Sequence, residues 1–360
     1  MINYKPILAA AIVTISGASQ AQTTQKFTAD KTNEYALVYS LPLTVIDITL
    51  ETVHTVKKPG EFNNYATRHL GLEGDAVVRK AEHTVAIKSV SISPRGVADP
   101  ENRWQVQFKA GSVPTMILMD DGVPLSINED VEAPEAPVLP QPVAKQPTVL
   151  ESAAAREAVT EAMTRSTTLG KKAEAAATRI FELRERRNEI FSGESDGMDG
   201  KAMELVLNGL SAQEAALTAM FAGTVQTYTE VTTLTFTPGK EDEGKVLLAR
   251  ISPTEGIVAK DDLSGIPLYL SYQVLTRGKL PLTEKGEPKK FPKGGVAYTI
   301  PGSGRITLHF KDKVIGQADV DLGQLGATFG IDPTLFVDKK APAYLEFSPV
   351  TGAIVSLGTK

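Results

Sequence analysis

The chain has 360 residues, more than one average domain, with 42% hydrophobic and 22% charged side chains and a formal net charge of -5. That balance belongs to a folded chain rather than a disordered or membrane-embedded one, and it carries no chain-wide nucleic-acid footprint. With no cysteine, disulfides, thiolate metal sites, cysteine nucleophiles and iron–sulfur clusters are excluded, and four histidines leave little room for histidine metal clusters.

The first 21 residues read as a secretory signal. Lys5 precedes an apolar run at 7–15, small residues follow at 16–19, and Ser19-Gln20-Ala21 fits a small-x-small cleavage site. The expectation is a mature chain starting at Gln22, exported to the periplasm or cell surface. A lipid anchor would need a cysteine at the cleavage point, so none is expected. No later segment approaches about 18 unbroken apolar residues, so no transmembrane span is expected once the signal is removed.

Residues 22–128 read as an N-terminal β-rich domain. A first strand at 34–40 is ended by Leu41-Pro42. At 44–53, Ile46, Ile48 and Leu50 share one side and Asp47, Thr49 and Glu51 the other, a period of two that marks one buried face. Pro59-Gly60 is a turn, and 62–70 makes a helical turn or two stopped by Gly71. Alternation returns at 84–93, and 103–109 and 115–119 are further strands, the last closed by Asp120-Asp121-Gly122.

Residues 129–148 change character. Prolines at 134, 137, 140, 142 and 147 forbid a helix or a central strand, which leaves an extended, semi-rigid linker. Residues 149–223 are helical. Val159, Ala162, Ser166, Leu169, Ala173, Ala176, Ile180, Leu183, Arg187 and Ile190 repeat at three and four residues, a heptad-like seam whose small members admit a partner helix. A second stretch places Met203, Val206, Leu210 and Leu217 on one face. Asn208-Gly209 and a capping box of Ser211 with Glu214 predict a break in it. The Gly- and Ser-rich stretch at 192–200 predicts an antiparallel hairpin. The first arm is the longer, so its N-terminal half must pack elsewhere, break near Gly170 or protrude.

Residues 224–360 form a C-terminal β-rich domain, with strands at 224–238, 245–252, 268–276, 305–310, 344–347 and 353–357. The expected fold class is α+β: two β-rich domains, each a sandwich or open barrel, separated by the proline-rich linker and the helical hairpin.

Four features invite a chemical reading. Gly193-Glu194-Ser195-Asp196-Gly197 matches the G-x-S-x-G elbow, but it lies between two helices, where the strained strand-to-helix turn is missing. His54, His69 and His83 would be three metal ligands only if the fold brought them together, since they lack ligand spacing. Asp120-Asp121, Asp261-Asp262 and Glu241-Asp242-Glu243 offer carboxylates for a glycosidase pair, and each also has the look of a turn. The stretch 277–293 holds six basic and two acidic residues, suited to anionic lipid or glycan and equally to a solvated loop. Trp104, the sole tryptophan, alternates with polar residues and reads as core. No catalytic, cofactor-binding or metal-binding residue and no cofactor is assigned.

Leu41-Pro42 with its strand, 58–62 through Tyr65-Ala66 to Leu70-Gly71, 88–93, Ala98-Asp99-Pro100, 183–187 running into Gly193-Glu194, 221–223 and 298–302 form an ordered set of stretches. Taken together they resemble an uncharacterised domain-of-unknown-function family of exported proteins from Bacteroidota, Bacteroides and relatives. The resemblance implies export and this β–helical–β layout, and implies no activity. The leading expectation is a non-catalytic envelope protein that binds or scaffolds another envelope protein or a glycan, without nucleic acid. The alternative is a hydrolase of glycan or peptide using an Asp/Glu pair.

Overall fold

The computed structural model describes residues 23–26, 36–107, 114–192, 200–338 and 340–359. The expected signal at 1–21, the start at Gln22 and the serine motif around Ser195 lie outside the described residues. In chain order the elements are β1 (Thr23–Lys26), β2 (Ala36–Lys58), α1 (Ala66–Leu70), β3 (Glu82–Gln107), β4 (Met116–Leu118), β5 (Pro124–Ile127), α2 (Ala153–Glu157), α3 (Glu161–Arg165), α4 (Leu169–Ser192), α5 (Gly200–Ala222), β6 (Thr224–Phe236), β7 (Glu243–Ser252), β8 (Gly256–Val258), β9 (Ile266–Thr276), β10 (Val296–Phe310), β11 (Lys313–Ile331), β12 (Ala343–Phe347) and β13 (Ile354–Thr359). The class is α+β, with a helical pair beside three antiparallel sheets ordered β1-β3-β2-β6, β11-β10-β9-β7-β8 and β13-β12-β5-β4.

Two of these sheets mix strands from either side of the linker. β2 pairs with β6 from Ile46↔Phe236 to Lys58↔Thr224, and β5 pairs with β12 at Ile127↔Leu345. The positions 128 and 224 therefore mark changes of secondary structure along the chain and do not separate one sheet from another. A period of two fixes which face of a strand is buried, but it does not name the neighbouring strand.

The first and second sheets face each other across a core. Ile46, Ile48 and Leu50 of β2 meet Leu268 and Leu270 of β9, Ile306 and Leu308 of β10, and Leu322 of β11, all fully buried. β11 lies over β3, where a Cβ on Gly316 would stand 3.1 Å from Val90 and 3.6 Å from Ile92. A second core joins the third sheet to the start of β2, through Tyr39, Leu41, Ile127, Leu345 and Phe347. Tyr39 donates its hydroxyl to the Ala297 carbonyl at 3.0 Å, and burial pushes its pKa far up. The helices build a third core on α1 and the turn at Phe62.

Several elements differ from the sequence expectation. β2 runs through Leu41-Pro42 instead of ending there. The β2–β3 register shifts between Ser40 and Pro42, and β6 first pairs at Ile46, so the missing N–H falls at a break in one ladder and beyond the end of the other. β3 joins the stretches 84–93 and 103–107 through Pro94 and Pro100. It tolerates them as an edge strand, since β1 covers only Trp104 to Gln107. α5 continues through Gly209, and no capping box forms. Glu214 instead accepts from Arg184 Nε at 2.6 Å and Arg187 Nη1 at 2.5 Å, tying α5 to α4.

Arg187 is thus an ion-pair partner rather than a seam residue. Ala173, Ala176, Ile180, Leu183 and Ile190 form the buried seam of α4, while Val159 and Leu169 are 44% and 42% exposed. The N-terminal half of the helical stretch breaks into α2 and α3, capped by Ser152 and Thr160, which accept from Ala155 and Met163 N–H. β5 and the whole of β11 were not anticipated. The glycines at 316, 323, 326 and 330 interrupt the alternation of β11.

Candidate binding groove

An open groove of about 530 Å³ lies where the borders of the three sheets converge. β11 borders the second sheet, β3 borders the first sheet below Arg103, and β13 borders the third. Ile92 and Pro94 of β3 form one wall, residues 318–321 of β11 another, and Val350 and Val355 close the end. On β11, Ala318 and Val320 pack toward the core, whereas Asp319 and Asp321 stand on the opposite face. All four nonetheless line the groove. Pro301 of β10 lines it as well, so the depression borders the open side of β11 and reaches its outer face near Asp321.

The groove's end is fixed by polar contacts. Thr44 of β2 is fully buried; its hydroxyl donates to the Val350 carbonyl at 2.9 Å and accepts from Gly323 N–H at 2.9 Å. The Gln324 amide completes the junction. Its Oε1 accepts from Thr44 N–H at 3.1 Å, and its Nε2 donates to the carbonyls of Thr44 at 2.9 Å and Pro238 at 3.1 Å. A side chain thus substitutes for a neighbouring strand where β6 has ended. The turn before β13 presses on Gly96 of β3, where any Cβ would stand 1.9 Å from the Pro349 carbonyl oxygen.

The two groove carboxylates differ. Asp319 is gripped by Arg305, Nε to Oδ1 at 2.7 Å and Nη2 to Oδ2 at 2.8 Å, and these hydrogen bonds hold its pKa below the ordinary range. Asp321 is exposed, and its carboxylate makes no hydrogen bond or ion pair among the described residues. The groove thus offers apolar walls, one neutralised carboxylate and one available anionic charge.

The residues singled out in the sequence are dispersed. Asp121 accepts from Ala98 and Val123 N–H, Asp262 from Ser264 N–H, Asp242 from Val274 N–H, and Glu241 pairs with Arg277 at 3.1 Å. Each of these acid clusters is engaged in a turn or strand end. In the loop from Arg277 to Lys293, Thr283 and Glu287 exchange hydrogen bonds around Gly286. Phe291 anchors the loop by stacking on Trp104 with centroids 5.6 Å apart. Trp104 is half-buried and donates to Asn102 at 2.9 Å.

Of the three histidines, two meet. His54 on β2 is buried, with Nδ1 3.3 Å from His83 Nε2, Nε2 3.2 Å from Glu230, and its ring stacked on Tyr228. A carboxylate only accepts, so His54 Nε2 carries its proton and His54 Nδ1 accepts from His83 Nε2. Burial holds the His54 pKa below its ordinary value, with Glu230 opposing and His83 adding to the depression. His69 lies on α1 beside Tyr65 and Phe221. The fold does not bring the three histidines together, and no cluster among the described residues has the makings of a metal site. No described helix is long and apolar enough to cross a membrane.

The groove residues were not legible in the sequence because β11 was not. The alternation of Asp319 and Asp321 with Val320 and Leu322 was the available signal. Residues 35–355 match the model of a family described as Domain of unknown function (DUF4831). No curated protein and no solved structure matches the chain.

Proposed function

The chain belongs to this family of unknown function, and from that premise we propose that it is a non-catalytic cell-envelope binding or scaffold protein that holds another envelope component in the groove beside β11. The observation that carries this reading is the convergence of three sheet borders on one apolar depression with an available carboxylate. The N-terminal pattern at 1–21 supports export to the periplasm or cell surface of a Bacteroidota cell. The α4–α5 pair supports a spacer or docking arm: Phe191 and Leu205, near its far end, are 70% and 75% exposed. The rival reading, an Asp/Glu hydrolase of glycan or peptide, loses its motivation where the carboxylates suggested by the sequence serve turns and strand ends.

Photo-crosslinking in the native host tests the reading. A photoreactive residue at Val355, which is 66% exposed at the groove, is expected to give a discrete adduct. The same probe at Leu263, 81% exposed and outside the groove, is expected to give none. Equal labelling from both positions, or none from Val355, would refute the groove as the binding site.

A further inference from the structure

An edge strand presents unpaired N–H and C=O groups, and folded proteins blunt such edges with proline, bulges, covering segments or short length. This chain uses several of those devices. Pro94 and Pro100 interrupt β3, and β4 and β8 have three residues each. The linker lies along the first half of β6, where Val143 accepts from Thr229 N–H at 3.1 Å and donates to the Thr229 hydroxyl at 2.8 Å. On β11 the register break against β10 falls at Ile315, and the strand is fastened again at Gly323. Between them, Gly316 to Leu322 carries no proline, no bulge and no strand on its outer side among the described residues. The groove takes in residues 318–321 of that stretch.

We propose that the groove is a strand-addition site: an extended peptide pairs with the open edge of β11 between Gly316 and Leu322. This rests on the groove being the binding site and names the occupant. Main-chain bonds to β11 would supply affinity, and alternate side chains would supply selectivity. On one face the added strand meets Val320 and Ile92, which suit small apolar residues. On the other it meets Asp321, whose carboxylate has no partner among the described residues and selects lysine or arginine; Asp319 is already taken by Arg305. The occupant is therefore an extended segment with small apolar residues on one face and a basic residue beside Asp321 on the other. Proline-containing or acidic segments are rejected, the first for lack of N–H groups and the second by repulsion at Asp321.

The probe is an acetylated, amidated heptapeptide, Val-Lys-Val-Lys-Val-Lys-Val, which has the same sequence in either direction and so covers parallel and antiparallel pairing. It is titrated into the full chain and followed by amide NMR. The expected result is saturable perturbation centred on Gly316 to Leu322. N-methylating all lysine amides or all valine amides removes the N–H groups of one peptide edge only. One of the two methylated peptides is expected to bind at least about tenfold more weakly and the other to retain binding. Asp321→Asn is expected to weaken the parent peptide about three- to fivefold, the worth of an exposed ion pair. Absence of binding, or perturbation mapping outside 316–322, would overturn the proposal. Equal affinity of both methylated peptides would overturn it too. If any of these results accompanies a discrete adduct at Val355, strand addition fails and the groove reading stands.

Discussion

Thr44→Val removes one oxygen and little else, yet it disconnects three parts of the structure. The Thr44 hydroxyl joins β2 to Gly323 of β11 and to the Val350 carbonyl in the turn before β13, both at 2.9 Å. Valine keeps the shape and strands one N–H and one carbonyl. An orphaned backbone group costs about 1–3 kcal/mol, and Gly323 and Val350 are half-buried, so partial access to water lowers each figure. The expected loss is about 2–4 kcal/mol. Thr55→Val, on the same strand and with no side-chain hydrogen bond among the described residues, is the control and should fall within about 0.5 kcal/mol of wild type. Urea unfolding followed by far-UV circular dichroism measures both, with the midpoint compared at constant slope. If Thr44→Val and Thr55→Val unfold at the same urea concentration, the junction carries no stability and the argument for a fixed groove end fails.

Other outcomes follow from the same contacts. In the helical pair, Ala176→Phe should overpack the seam at about 1–3 kcal/mol and Leu183→Ala should cost about 2–5 kcal/mol. Glu182→Ala and Arg186→Ala, on the exposed face, should change stability by about 0.5 kcal/mol or less, and thermal melts of the four rank them. Glu214→Gln removes a carboxylate shared by two arginines and should cost about 1–2 kcal/mol, an effect that shrinks in Arg184→Ala/Arg187→Ala if the three act together. His54 has a depressed pKa in the folded chain, so the unfolded chain takes up its proton first as pH falls. Stability is therefore full above the ordinary histidine value of about 6.5 and declines as pH drops toward the lower folded value. Denaturation midpoints of wild type and His54→Asn between pH 5 and 8 check this, and the variant's profile should be the flatter.

The local patterns in the sequence translated well, and the long-range ones did not. The alternation around Ile46, Ile48 and Leu50 identified the buried face of β2, and Ala173, Ala176, Ile180 and Leu183 identified the helical seam. Gly71 stops α1 in the left-handed conformation, at φ 65°, as its position after Leu70 suggested. Pro42 misled because proline is disallowed only where a ladder needs its N–H, and ladder placement depends on residues far along the chain. Glu214 matched a capping box locally, whereas two arginines about thirty residues away hold it instead. The groove lies between strands more than 200 residues apart in sequence, Ile92 and Pro94 against Val320 and Asp321, and no local period encodes such a meeting. The His54–His83 contact is of the same kind, set by β2–β3 register at His54↔Val85 and Val56↔His83.

Native-state amide hydrogen exchange on the full chain tests the central claim, that β11 presents an open edge along the groove. Across Gly316 to Leu322, amides directed at β10 should be protected, and those directed into the groove should exchange orders of magnitude faster, giving an alternating profile. The neighbouring stretch of β10, paired on both sides, should be protected throughout. Uniform protection of Gly316 to Leu322 would contradict the account, because it would mean that the edge is already covered.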